Sequence, residues 1–203
     1  SVNIDISSGD DGIHADTKVA INGGKITLLK SYEGIEGQSI DITGGIVNII
    51  AMDDGLNSAG GNDASGLGGR PGQGEFDADS NCYIKISGGR ITINASGDGV
   101  DSNGNIYVSG GETYISGPTS NGNGSLDYNG SAEITGGIVV AVGSSGMAQN
   151  FGSISTQGSI LVNLSSMQNE GSKINLKDKS GKNIISFSAE KTFDSVVIST
   201  PEV

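Results

Sequence analysis

Five copies of a glycine doublet recur in this chain, each between short runs of alternating apolar residues. They are AINGGKITL, DITGGIVNI, KISGGRITI, YVSGGETYI and EITGGIVVA. Their first glycines stand at positions 23, 44, 88, 110 and 136, so the steps are 21, 44, 22 and 26 residues. A period near 22 with one doubled step marks a stacked repeat, and few other folds tolerate such a rhythm.

Aligned on the doublet, apolar residues recur just before it at Val19 and Ile21, Ile40 and Ile42, Ile84 and Ile86, Ile106 and Val108, and Ala132 and Ile134. They recur just after it at Ile26 and Leu28, Val47 and Ile49, Ile91 and Ile93, Thr113 and Ile115, and Val139 and Ala141. A third position lies upstream at Ile13, Ile35, Leu56, Val100 and Leu126. The period of two is that of strands. Three short strands per 22 residues, stacked about 4.8 Å apart, predict an all-β right-handed parallel β-helix. The glycines are expected at sharp bends with positive φ. Asn22, Thr43, Ser87, Ser109 and Thr135 would form a polar stack beside them.

The doubled step holds an inserted glycine-rich loop at 58–80, with no apolar alternation. Loops of that length in compact domains tend to be functional or disordered. The repeat covers 1–143; from 144 to 203 the chain reads SILVNLS, SKINLKD, KNIISFS and DSVVIST. These four strands predict an antiparallel cap that hides the last coil's edge, within a single domain. The chain opens in mid-strand, with Ile4 and Ile6 aligning to Ile26 and Leu28.

Glycine makes up 35 of 203 residues, more than twice the usual ~7%, but its fixed register marks turns and not disorder. The net charge of −12 opposes a nucleic-acid partner held through phosphates and favours cations. Cys82 is the sole cysteine, which excludes an intrachain disulfide and a thiolate metal cluster. No apolar run reaches the roughly 20 residues that span a bilayer.

An acidic motif keeps the same rhythm: Asp11-Gly12-Ile13-His14, Glu33-Gly34-Ile35-Glu36, Asp54-Gly55-Leu56-Asn57 and Asp98-Gly99-Val100-Asp101, with a degenerate Gly124-Ser125-Leu126-Asp127. Stacking places Asp11, Glu33, Asp54 and Asp98 in one column, and Glu36, Asn57, Asp101 and Asp127 in another. Two carboxylates about 5 Å apart repel by roughly 3 kcal/mol at an effective dielectric near 20. Solvent screening, raised pKa values or a bound cation can each answer that repulsion. Hard oxygen donors on loop backbone suit Ca²⁺, with Asp10, Asp16 and Asp53 as further donors. Acidic turn residues also cap turns through side-chain hydrogen bonds, which is the alternative for any single copy.

His14 is the only histidine, so a triad or a multi-histidine zinc site is excluded, and its place in the motif is that of a turn residue. Paired carboxylates for glycoside hydrolysis are present in number, but nothing selects one pair. Lys25 and Arg90 share an outward column after the doublet, and Lys85 points outward before Arg90; these suit an acidic sugar or simple solvation. Tyr107 and Tyr114 are expected outward and near one another, as a sugar platform or as cross-strand fillers.

Taken together, DDGLNSAGGND, GDGVDSNGNIYVSGG, NGSLDYNGSAEITGG, GSSGMAQ and the SFSAEKTFDSVVISTPEV tail give the chain its resemblance to the secreted bacterial β-helix carbohydrate-binding domains, which are fold-related to family 9 polysaccharide lyases. The resemblance spans almost the whole chain. It implies an extracellular β-helix with bound calcium and non-catalytic binding of plant cell-wall polysaccharide, cellulosic or pectin-like. The related lyases imply a second possibility, calcium-dependent β-elimination of polygalacturonate by a lysine or arginine base, although no particular lysine matches that base. A purely structural surface module is the third. His14 and Asn57 depart from the acidic pattern of the second column, which would leave calcium ligation incomplete at their coils.

Overall fold

The computed structural model describes residues 2–59 and 78–203, so most of the inserted loop at 58–80 lies outside the described residues. The described chain is all-β, without a helix, and winds as a β-solenoid of about 6 turns with spacing near 22 residues. Among the described residues no helix is long and apolar enough to cross a membrane.

The long strands are β1 (Asn3–Ser7), β2 (Ile13–Ser31), β3 (Ile35–Ala51), β5 (Tyr83–Asn94), β7 (Asn105–Ser116) and β9 (Ala132–Gly143). They pair in parallel in that order, with register such as Ile42↔Ile86↔Val108↔Ile134. The short strands β4 (Leu56–Ser58), β6 (Val100–Ser102) and β8 (Leu126–Tyr128) stack on the start of β3 and carry the third ladder, Ile35↔Leu56↔Val100↔Leu126. Strands β3 and β5, on either side of the doubled step, are therefore neighbours. Strand β1 stacks on the second half of β2, with Ile4↔Ile26 and Ile6↔Leu28 as the alignment requires.

The inward residues form one continuous apolar core. Burying each of these Ile, Val or Leu side chains contributes about 1.5–3 kcal/mol, and their β-branched shapes suit a pleated surface. The doublets sit at the bends inside the long strands, and only the second glycine of each is left-handed, as at Gly89 with φ 86°. The first glycine answers a different constraint in the later coils, where a Cβ on Gly88, Gly110 or Gly136 would lie 2.4 to 2.7 Å from a carbonyl oxygen of the coil below, while Gly23 faces open space. The expectation of positive φ thus holds for half of each doublet. In the polar column beside them, Thr43 donates to Asn22 Oδ1 at 2.8 Å.

The tail forms β10 (Ser159–Gln168), β11 (Lys173–Lys177), β12 (Asn183–Ser188) and β13 (Phe193–Ser199). Strand β13 pairs antiparallel with the second half of β9, β10 pairs antiparallel with β13, and β11–β12 is a separate hairpin. The run IVVAVG in β9 is apolar on both faces because Val139 and Ala141 enter the solenoid while Val140 and Val142 join a second core with Phe193, Val196 and Ile198. Between solenoid and cap, residues 144–157 still follow the last coil: Gly152 N–H donates to the Ala132 carbonyl and Ile134 N–H to Ser155 Oγ.

Candidate metal centre and outer groove

The acid–glycine motif is a hydrogen-bonded staircase. Gly12, Gly34 and Gly55 N–H donate to the carbonyls of Glu33, Asp54 and Asp98 in the next coil, at 2.8 to 2.9 Å. Gly99 continues the series to Gly124. These glycines are set by close approach: a Cβ on Gly99 would lie 2.4 Å from both Ile115 Cγ2 and the Ser125 carbonyl oxygen. The leading acids are thereby held in one column, as the spacing requires. The second column, His14↔Glu36↔Asn57↔Asp101↔Asp127, is equally in register.

Side chains divide these columns into two groups. Carboxylate oxygens of Asp54, Asp98 and Asp101 all lie within 4.8 Å of one another. Asp98 N–H donates to Asp54 Oδ1 at 2.6 Å, and Gly124 N–H donates to Asp98 Oδ1. Burial, reinforced by the neighbouring acids, pushes these carboxyls far up: Asp54 to about 9, Asp98 to about 7 and Asp101 to about 8. Asp127 is raised for the same first reason, and its charge in turn raises Asp98 and Asp101. Glu33, 2% exposed, accepts from Asn57 Nδ2 at 2.8 Å. The other end of that amide, Asn57 Oδ1, is buried without a hydrogen-bond partner on a side chain only 4% exposed.

A buried carbonyl left without a donor costs on the order of 1–3 kcal/mol, and a cation would satisfy it. The three carboxylates form an all-oxygen donor set, which fits a hard divalent cation requiring six to eight oxygens, water included, and Asn57 stands in register beside Asp101. Gly97 completes this cradle and was not singled out by the acidic pattern. A Cβ there would come within 2.3 Å of both Asp53 Oδ1 and Asp54 Oδ1. The sequence signal was present, as a glycine directly before the Asp98-Gly99 pair. Asp53 also faces Tyr32, whose hydroxyl is raised first by its hydrogen bond to that carboxylate.

The second group lies in the first coils. His14 Nδ1 meets Glu36 Oε2 in a very short contact and Asp11 Oδ2 at 3.3 Å, while Nε2 faces Asp16 Oδ1 at 3.4 Å. The Glu36 hydrogen bond is the first cause of the raised His14 pKa. Asp10 is exposed beside this group, its carbonyl accepting Tyr32 N–H.

The candidates for sugar contact also separate. Lys85 and Tyr107 occupy neighbouring places in the outward column Asp41↔Lys85↔Tyr107↔Glu133. Together with Tyr83, Ser109 and Thr135 they line an open groove of about 390 Å³. Lys18 pairs with Asp41 at its rim. Tyr114 lies beyond the bend on another face, where Phe187 of β12 stacks on it at 5.6 Å and the Arg90 guanidinium sits 4.6 Å from its ring centroid. Arg90 also pairs with Glu112. Tyr107 and Tyr114 therefore do not adjoin, because the doublet at Gly110–Gly111 turns the chain between them. Lys25 stands exposed at the corresponding bend of β2, in register with Ile46 and Arg90.

The cap reaches back to the acid column. Lys191 donates to the Ala95 carbonyl and to Ser96 Oγ, and Glu190 N–H donates to Ser116 Oγ at 3.0 Å. This clip holds the turn that carries Gly97 and Asp98. No family model matches the chain, and neither a curated protein nor a solved structure matches it.

Proposed function

We propose that this protein is an extracellular, calcium-stabilised, non-catalytic module that binds cell-wall polysaccharide along the outer face of its solenoid. The observation that carries the reading is the groove in which Tyr83, Lys85 and Tyr107 meet Asp41 and Glu133. An exposed aromatic ring ringed by hydroxyls, carboxylates and an ammonium offers a stacking face and many hydrogen-bond partners, the combination a hydroxyl-rich chain needs. Successive coils supply Asp41, Lys85, Tyr107 and Glu133 in turn along the axis, so a linear polymer laid along the groove meets a different partner at each coil. Calcium at Asp54, Asp98 and Asp101 would neutralise the buried acids and fix the turns that carry them.

Affinity electrophoresis in gels containing polygalacturonate or a soluble β-glucan tests this reading. Retardation on at least one polymer is expected, and unchanged mobility on all of them overturns it. A polygalacturonate digest with added calcium, followed by ultraviolet absorbance, tests the non-catalytic part. Accumulation of unsaturated product would replace it with β-elimination.

A further inference from the structure

The group in the first coils differs in chemistry from the all-oxygen cradle, because an imidazole stands where the other coils carry an acid or amide. Imidazole nitrogen suits zinc and similar borderline metals, whereas calcium takes oxygen. From this donor set we infer that Asp11, His14 and Glu36 form a second cation site, selective for zinc-class divalent ions. The inference stands apart from the calcium and polysaccharide reading and does not depend on it.

Three observations support it. The ligand atoms of these three residues all lie within 4.8 Å of one another. Tetrahedral zinc with bonds of about 2.0–2.1 Å sets neighbouring ligand atoms about 3.3–3.4 Å apart. His14 Nδ1 stands 3.3 Å from Asp11 Oδ2, while Glu36 Oε2 is hydrogen-bonded to Nδ1 and has to draw back as the ion replaces the shared proton. Two carboxylates converge on the same ring nitrogen, although a proton on Nδ1 can point at only one of them at a time. A metal replaces that proton and engages both.

The opposite side of the ring is organised to match. Nε2 faces Asp16, the arrangement in which a second carboxylate takes the remaining N–H and leaves Nδ1 as the metal ligand. Binding releases the Nδ1 proton to solvent, water fills the fourth position, and no other covalent change is involved. Backbone geometry holds the site without the ion: Gly12 N–H is anchored on the Glu33 carbonyl, and His14 lies opposite Glu36 in the parallel ladder.

Because His14 is the only histidine, its two ring nitrogens give a single pair of signals in nitrogen-15 correlated NMR spectra. The tag-free protein is titrated with zinc in millimolar calcium. The expected result is a large Nδ1 shift complete at one equivalent, and a zinc affinity at least tenfold weaker in His14→Gln. Asp54→Asn, which alters the oxygen cradle, should leave zinc binding unchanged. An unmoved His14 ring at several equivalents of zinc overturns the site. So does equal zinc affinity in the wild type and His14→Gln, or competition of calcium for the same equivalent.

Discussion

Asp98 donates its backbone N–H to Asp54 Oδ1 at 2.6 Å, although 44 residues separate the two in sequence. The contact exists because β3 pairs with β5 and β4 with β6, so acids on either side of the insertion become neighbours. It ties the Asp54 carboxyl, which burial has pushed up to about 9, to the backbone of a residue whose own carboxyl is pushed up to about 7.

The burial of these carboxyls sets the pH dependence of the cation-free protein. The unfolded chain gives up these protons near the ordinary carboxylate value of 3.8, while the folded chain keeps them until about 7 at Asp98, 8 at Asp101 and 9 at Asp54. The protons' contribution to stability is therefore fully present below the unfolded value, falls as pH rises above it, and is gone above the folded values. In EDTA the Tm should drop between pH 5 and 9. With calcium at about one hundred times its Kd the protein should gain roughly 2.7 kcal/mol, and the gain should grow with pH. Thermal melts at matched ionic strength across that range check both signs.

The coil register was legible in the chain because the glycines and acids recur at nearly fixed spacing, and the apolar ladders and the second acidic column are realised from Ile4↔Ile26 to Asp101↔Asp127. The polar column instead slips by one at the bend, with Asn22 opposite Gly44 and Ser87 opposite Gly110. What the spacing did not carry was side-chain direction across a bend. Tyr107 and Tyr114 are seven residues apart with a doublet between them, and the bend sends one to the groove and the other beneath Phe187. The division of the acids into two groups was hidden for a similar reason. A column fixes which residues stack, but His14 and Asn57 decide which carboxylates face each other, through contacts such as Asn57 to Glu33.

The motif glycines make a prediction about packing. Each sits where a Cβ would strike an inward aliphatic residue, Leu28, Ile49, Ile93 or Ile115, and a carbonyl of the next coil. In the last coil the same position is Ser125, and its inward counterpart is the small Ala141, in register with Ile115. Gly99→Ala should therefore cost about 1–3 kcal/mol. Ser125→Ala should be neutral or slightly stabilising, since the Ser125 hydroxyl is buried without a hydrogen-bond partner. Urea unfolding of the two variants should give opposite or clearly unequal shifts in midpoint.

The tyrosines separate binding from folding. Tyr107→Ala should abolish retardation on polysaccharide and leave the Tm within about 2 °C, because an exposed ring contributes little to stability. Phe187→Ala should keep retardation but loosen the β11–β12 hairpin, losing about 0.5–1.5 kcal/mol from the Tyr114 ring pair alone. Affinity gels and melts on both variants give a two-by-two outcome, and a Phe187→Ala protein that folds but no longer binds would move the sugar to the other face.

Asp101→Asn tests whether the buried acids serve a cation or only fill a turn. The amide keeps the shape of the side chain and removes a charge that burial, then Asp98 and Asp127, oppose. At pH 9 in EDTA the variant should melt above the wild type, by about 2–4 °C for each kcal/mol of relieved penalty. In calcium the order should reverse, because a ligand that holds the ion through its negative charge has been lost. A turn-capping carboxylate predicts a different pattern, with the variant less stable by the same amount in both buffers. The crossing of the two melting curves on adding calcium is therefore the decisive observation, and parallel curves would return Asp54, Asp98 and Asp101 to a structural role.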